Sequence, residues 1–254
     1  MKKLVHSLFA TMIVVVFSLS FVACGDDDED NNGGGGEVKA SKVKTLNYKD
    51  DSWEETFTFT YQDDGKISKI VNSYEGGSEE IIFDWKTANK LTVTRGDKTY
   101  LYDVNSSGYI TKEYGETSKD YYTYEYDGNG FITKIQEFWD GGSEVKYTIT
   151  INNGNVTKHA RVRDGKDYEK TFEYATGVNT CNIQQTNPVD SYWKTQAGLY
   201  GKASNKLVER LNYGYVGETA STTVLQYSFD TDKRPSTITR GGDGWTETLT
   251  YTYY

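Results

Sequence analysis

The sequence predicts an all-β protein. The expected architecture is an antiparallel up-and-down meander of about 14–17 short strands, strongly curled or closed into a barrel, with one short helical insertion near 188–206. Three observations carry this prediction. Aromatic and polar residues alternate over long stretches, as in Thr56-Phe57-Thr58-Phe59-Thr60-Tyr61, the period-2 signature of a strand with one buried face. Asp/Asn-Gly pairs punctuate these runs and supply the positive φ angles that tight hairpin turns require. The combination of run and turn then recurs along the chain.

The clearest repeat unit is Tyr124-Glu125-Tyr126-Asp127-Gly128-Asn129-Gly130-Phe131-Ile132-Thr133-Lys134-Ile135. Copies span Phe57 to Ile70, Tyr100 to Lys112 and Tyr147 to Lys158, and a worn copy spans Tyr227 to Ile238. The turn glycines Gly65, Gly108, Gly130 and Gly154 are 43, 22 and 24 residues apart, and the first gap conceals a further worn unit around Asn89. One supersecondary unit per repeat follows from such a period. Here it is a hairpin, because Tyr, Phe, Ile, Val and Thr dominate and all favour strands.

Second turns join the units at Gly76-Gly77, Gly96-Asp97, Gly115, Gly141-Gly142, Gly165 and Gly241-Gly242. A longer pattern crosses this period: Tyr74-Glu75-Gly76-Gly77-Ser78-Glu79 returns 65 residues later as Trp139-Asp140-Gly141-Gly142-Ser143-Glu144. The bland reading is an economical turn. The sharper one is an aromatic ring at a loop tip, stacking on a ligand, and on that reading Tyr74, Trp139 and Trp245 are the candidate ligand-binding residues. Most of the 22 tyrosines and five tryptophans are expected to fill the buried face of the sheet.

Residues 187 to 211 break the pattern. Asn187-Pro188-Val189-Asp190 resembles a helix entry, and the apolar Tyr192, Trp193, Leu199, Tyr200 and Leu207 are interrupted by Gly198 and Gly201. One or two helical turns are expected there, covering an end of the sheet or filling its inside. The run Tyr-x-Tyr-Asp-x-x-Gly-x-Ile-x-x-Ile resembles the YD-type repeat of large bacterial surface proteins. With Gly198-Leu199-Tyr200-Gly201-Lys202-Ala203-Ser204-Asn205-Lys206-Leu207, the stretch 41–254 is similar to a Bacteroidetes lipoprotein family of unknown function with a porin-like fold. The resemblance implies a many-stranded, curled or closed sheet and no activity.

The N-terminus bears on location. A basic start (Lys2, Lys3), an apolar stretch from Leu4 to Val22 and the sequence Phe21-Val22-Ala23-Cys24 describe a secretory signal. The cysteine makes it resemble a bacterial lipoprotein signal, cut before Cys24 and acylated on its thiol, with Phe21 where such signals usually carry Leu. The acidic run Asp26 to Asp30 directly after it resembles the surface-export signal of Bacteroidetes lipoproteins and argues against a spanning helix over 4–22. The expected organisation is a signal peptide (1–23), the lipidated cysteine with an acidic, glycine-rich flexible tether (24–40) and one β domain (41–254). Thirteen such tether residues, 25–37, reach roughly 20 Å. The expected location is the outer membrane, lipid-anchored and facing the cell exterior, with the periplasmic face as the alternative.

Composition excludes several functions. Removing residues 1–23, which carry Lys2 and Lys3 and no acid, takes the net charge from −9 to −11. Nucleic acid needs a basic footprint, so it is not an expected partner. The same charge favours a neutral glycan over an anionic one. With Cys24 lipidated, Cys181 has no disulfide partner and reads as a small buried hydrophobe. His159, the one histidine outside the signal, reads as an ordinary strand residue, which leaves no Cys/His metal site. Asp127-Gly128-Asn129-Gly130 matches only the start of a calcium loop, since Phe131 and Phe138 occupy its fifth and twelfth places. No catalytic residue, metal or cofactor is expected. The function expected is a non-catalytic binding or interaction module for a neutral glycan or a partner surface protein. The alternatives are a glycan hydrolase using a carboxylate pair and, behind it, an outer-membrane β-barrel pore ending on Thr248-Leu249-Thr250-Tyr251-Thr252-Tyr253-Tyr254.

Overall fold

A computed structural model describes residues 42–115, 119–189, 192–242 and 244–254. The expected signal peptide and tether, with Cys24, lie outside the described residues. Among the described residues, sixteen strands run in chain order and close into one antiparallel barrel. The first eight are β1 (Val43–Lys49), β2 (Glu54–Tyr61), β3 (Ile67–Tyr74), β4 (Gly77–Asp84), β5 (Lys90–Arg95), β6 (Lys98–Val104), β7 (Ile110–Tyr114) and β8 (Tyr121–Tyr126). They continue as β9 (Ile132–Trp139), β10 (Gly142–Asn152), β11 (Asn155–Arg163), β12 (Lys166–Val178), β13 (Lys206–Tyr215), β14 (Ser221–Phe229), β15 (Pro235–Gly242) and β16 (Trp245–Tyr253). The terminal strand closes the sheet on β1, from Val43 opposite Tyr253 to Lys49 opposite Thr248. Meander and strand number agree with the sequence-based expectation, and of its two alternatives, curled or closed, the sheet takes the closed one.

Alternation decides what each face carries. Leu46 opposes Phe57, Phe59 opposes Ile70, Ile70 opposes Ile81 and Ile238 opposes Leu249, and all of these are buried inside the barrel. The neighbours between them form an outer wall rich in threonine: Thr45 opposes Thr58, Thr239 opposes Thr248 and Thr250 opposes Asn47. Ion pairs link adjacent strands on this outer wall, including Lys69–Glu80, Lys134–Glu125 and Lys158–Glu169.

Each repeat unit is one hairpin, and its aspartate is a turn residue. Asp127 Oδ1 accepts the backbone N–H groups of Asn129 and Phe131, and Asp230 does the same for Asp232 and Arg234. The bond between Gly130 N–H and the Asp127 carbonyl closes the turn with Gly130 at φ 89°. The worn turn near Asn89 is real, with Asn89 itself at φ 58°. Tyrosines toward the ends of five strands also share a task. The hydroxyls of Tyr61, Tyr126, Tyr174, Tyr227 and Tyr253 donate to the backbone carbonyls of Val43, Ile110, Val156, Val208 and Pro235. Trp85 Nε1 makes the equivalent bond to Ile67. Each of these strands is thereby pinned to the strand before it.

The insertion takes its expected form, one short helical turn in a segment that fills an end of the barrel. Among the described residues the helix is confined to α1 (Tyr192–Gln196), and the rest of 179–205 is irregular chain folded into one end of the barrel. Its carbonyl at Leu199 accepts Ile110 N–H, Lys202 N–H donates to Gly130, and Asn205 N–H donates to Gly154. Ile183, Leu199 and Tyr200 complete the core, and Trp193 packs edge-on against Phe83. Interrupting glycines prevent a longer helix. Gly201 sits at φ +87°, and a Cβ there would lie 2.6 Å from the Gly130 carbonyl. The close approach of plug to turn therefore requires glycine.

Candidate functional site: the lumen cavity

The inner wall changes character along its length. Apolar residues surround the plug, whereas in phase with them toward the other end lie Glu55, Asn72, Glu79, Arg95, Glu113, Glu137, Arg161, Lys170, Arg240 and Glu247. Charges inside a barrel are costly unless paired. Most are paired here. Asn72 donates to Glu55, Arg95 bonds Glu79, Lys146 bonds Glu137 and Arg240 pairs with Glu247.

Glu113 is the hub that joins plug to wall. It accepts hydrogen bonds from Lys194 Nζ at 2.5 Å and from the Tyr124 and Tyr200 hydroxyls at 2.8 Å each. Burial pushes its pKa up, but the Lys194 charge and these donors outweigh burial, so the carboxyl is held below its ordinary value. The phenol of Tyr200 is pushed well up by burial and by the surrounding tyrosines and Glu113.

Between the plug and strands β10 to β12 lies a cavity of about 330 Å³, lined from the wall by Tyr147, His159, Arg161, Tyr168 and Lys170 and from the plug by Gln184, Gln185 and Asn187. This volume falls within the roughly 300–1,000 Å³ range of small-molecule sites. The plug amides are committed to structure. Gln184 donates to the Gly201 carbonyl, Gln185 bridges the Tyr227 hydroxyl and Val208 N–H, and Asn187 donates to the Tyr200 carbonyl. The wall groups retain binding capacity. Arg161 Nη1 donates to the Tyr147 hydroxyl at 2.7 Å, and its guanidinium carbon lies 5.2 Å and 4.9 Å from the Tyr147 and Tyr168 rings. His159 is buried between Tyr147 and Phe172. Burial first, then the charge of Lys170, pushes its pKa down to about 3 against the hydrogen bond its ring donates to the Thr186 backbone carbonyl, so the ring is neutral. The described lining residues include no carboxylate.

The three candidates taken from the sequence lie elsewhere. Tyr74, Trp139 and Trp245 all stand on the rim opposite the plug, on β3, β9 and β16, and no ring contact joins them among the described residues. Each lies directly across its hairpin from a glycine: Tyr74 from Gly77, Trp139 from Gly142 and Trp245 from Gly242. A Cβ on Gly142 would meet the Trp139 ring at 3.0 Å, and one on Gly242 would meet Trp245 Nε1 at 3.0 Å. The aromatic thus covers the glycine backbone, which gives the recurrent aromatic-acid-Gly-Gly run a structural reason. Gly241 and Gly242 belong to β15 rather than to the turn beyond it, because Trp245 covers the strand there. Tyr74 alone gains an aromatic partner, Trp53, stacked at 5.9 Å above a groove lined by Glu54, Glu55 and Glu75. Cys181 is buried, as expected.

Two solved structures share the fold. A porin-like protein from Bacteroides uniformis ATCC 8492 superposes with a TM-score of 0.68 at 17% identity, covering 84% of this chain and 98% of that one. A porin-like protein from Bacteroides vulgatus ATCC 8482 gives 0.55 at 14% identity, covering 84% and 99%. No protein-family profile and no curated protein matches the chain. At these identities the likeness is one of fold, and this chain is similar to those porin-like barrels over 84% of its length.

Proposed function

We propose that this chain is a cell-envelope lipoprotein, acylated at Cys24 and held at the outer membrane facing outward, whose barrel stays out of the lipid and acts as a non-catalytic binding module. Its ligand is a small polar molecule of glycan type, received in the lumen cavity. The observation that carries the reading is the distribution of polarity across the sheet: an apolar core around a plug fills one end of the inside, and threonines and lysine–carboxylate pairs stud the outside. A lipid-spanning barrel needs the reverse, an apolar outer band roughly 25 Å tall, and lysine at the bilayer midplane costs about 2–4 kcal/mol. The porin-like neighbours support barrel architecture and, through it, an envelope location. The hydrolase alternative draws nothing from the cavity, whose described lining is cationic, phenolic and amide.

The test is a melting scan of residues 42–254, unacylated and without detergent, against a glycan panel. A soluble protein with a cooperative transition that rises with one glycan class supports the proposal, because saturation at a hundred times Kd adds about 2.7 kcal/mol. A protein that needs detergent to stay dispersed, and conducts ions in planar bilayers, overturns it in favour of the pore.

A further inference from the structure

We propose that the lumen cavity recognises an acidic sugar, one that carries a carboxylate or sulfate together with free hydroxyls. The inference rests on the binding-module reading above and names its ligand class. The chain as a whole is acidic, which by itself favours a neutral ligand, but a ligand responds to the groups that line its site. The described lining holds Arg161, Lys170 and Arg240. Glu247 engages Arg240 and Asp164 engages Arg163 at the rim, so the donor that faces the cavity most directly is Arg161 on β11.

Arg161 has the features of an anion receptor. The rings of Tyr147 and Tyr168 and the bond to the Tyr147 hydroxyl hold its guanidinium, and its buried Nε has no partner among the described residues. A planar fork held in this way presents donors in the geometry that carboxylate and sulfate accept. His159 adds the second requirement. It is 4% exposed, its Nε2 has no partner among the described residues, and its other ring nitrogen bonds the Thr186 backbone. A neutral ring engaged there offers a bare Nε2 lone pair, which accepts a hydrogen bond from a hydroxyl and gives nothing to an anion. One wall therefore supplies cationic donors and a hydroxyl acceptor side by side, on paired strands in which His159 stands opposite Lys170 and Arg161 opposite Tyr168.

The experiment titrates the mature chain, its N-terminal segment intact, with D-glucuronate, D-glucose 6-sulfate and D-glucose by calorimetry. The expected result is binding of one or both anionic probes, an affinity that falls as NaCl is raised, and no binding of glucose at the same concentration. Arg161→Met should weaken the anionic probe at least tenfold, with Arg161→Lys between the two. If Arg161→Met loses its near-UV circular dichroism, Lys170→Met is read on the same tenfold criterion. Binding of glucuronate alone assigns a carboxylate, and binding of the sulfate alone assigns a sulfate ester. Equal binding of glucose, or an Arg161→Met variant with unchanged affinity, overturns the inference and leaves the binding module standing. Absence of binding by all three probes removes both.

Discussion

Replacing Glu113 by glutamine tests whether the plug is held to the barrel by one buried charge cluster. The side chains of Glu113 and Lys194 are 20% and 18% exposed, and among the described residues they are the most enclosed lysine–carboxylate pair. Removing one member of a buried pair costs about 3–5 kcal/mol, because the other is left as an uncompensated charge. Partial water access at these exposures places Glu113→Gln at the lower end, about 3 kcal/mol. A barrel of this size loses roughly 2–4 °C per kcal/mol, so calorimetry should show Tm falling by about 6–12 °C. The pH profile makes the test sharper. The folded-state pKa of Glu113 is depressed, so its contribution is present above the unfolded carboxylate value of about 4.3 and disappears as pH falls through the lower folded value. The wild type should therefore lose a segment of stability in acid that Glu113→Gln lacks. Glu113→Gln/Lys194→Met should recover part of the loss, since the two residues share one interaction. A Tm within about 2 °C of wild type, or an acid profile identical in the two proteins, would refute the reasoning.

Three further outcomes follow from the same geometry. Gly201→Val places a side chain against the Gly130 carbonyl and Tyr126 at a positive φ, so the plug should unseat, and limited proteolysis should cut within 179–205 at least tenfold faster than in wild type. Tyr61→Phe and Tyr126→Phe each leave a strand carbonyl without its donor, and denaturant unfolding should show a loss of about 1 kcal/mol apiece with m unchanged. Trp139→Ala uncovers Gly142 and should cost about 0.2–1 kcal/mol of stability while leaving the affinity of any lumen ligand as it was; a large loss of affinity would restore Trp139 as a contact residue.

Much of the architecture was legible in the chain because a strand writes its two faces in alternate letters. Thr56 to Tyr61 announces its buried face, and the Asp-Gly turns announce where the chain reverses, since only a few residues adopt the backbone angles needed. Local rules of this kind determined the meander, its repeat length and the approximate strand number. The candidate site was less legible. Tyr74, Trp139 and Trp245 were conspicuous by their place beside glycines, and that same neighbourhood turned out to be their task, covering the hairpin backbone. Arg161, Lys170 and Arg240 carried a quieter signal: each is a charge in phase with the apolar residues of its strand, as Arg240 is with Ile238 and Lys170 with Phe172. That phase reveals that a charge points inward and nothing more.

Closure of β16 on β1, burial of the plug among Glu113, Tyr124 and Phe83, and the meeting of His159 and Arg161 with Gln185 across the lumen are decided by tertiary structure alone. These contacts join residues tens to hundreds of positions apart. Alternation and turn chemistry act over two to five residues, so they set the face each side chain takes, while the curvature of the closed sheet selects which inward faces meet.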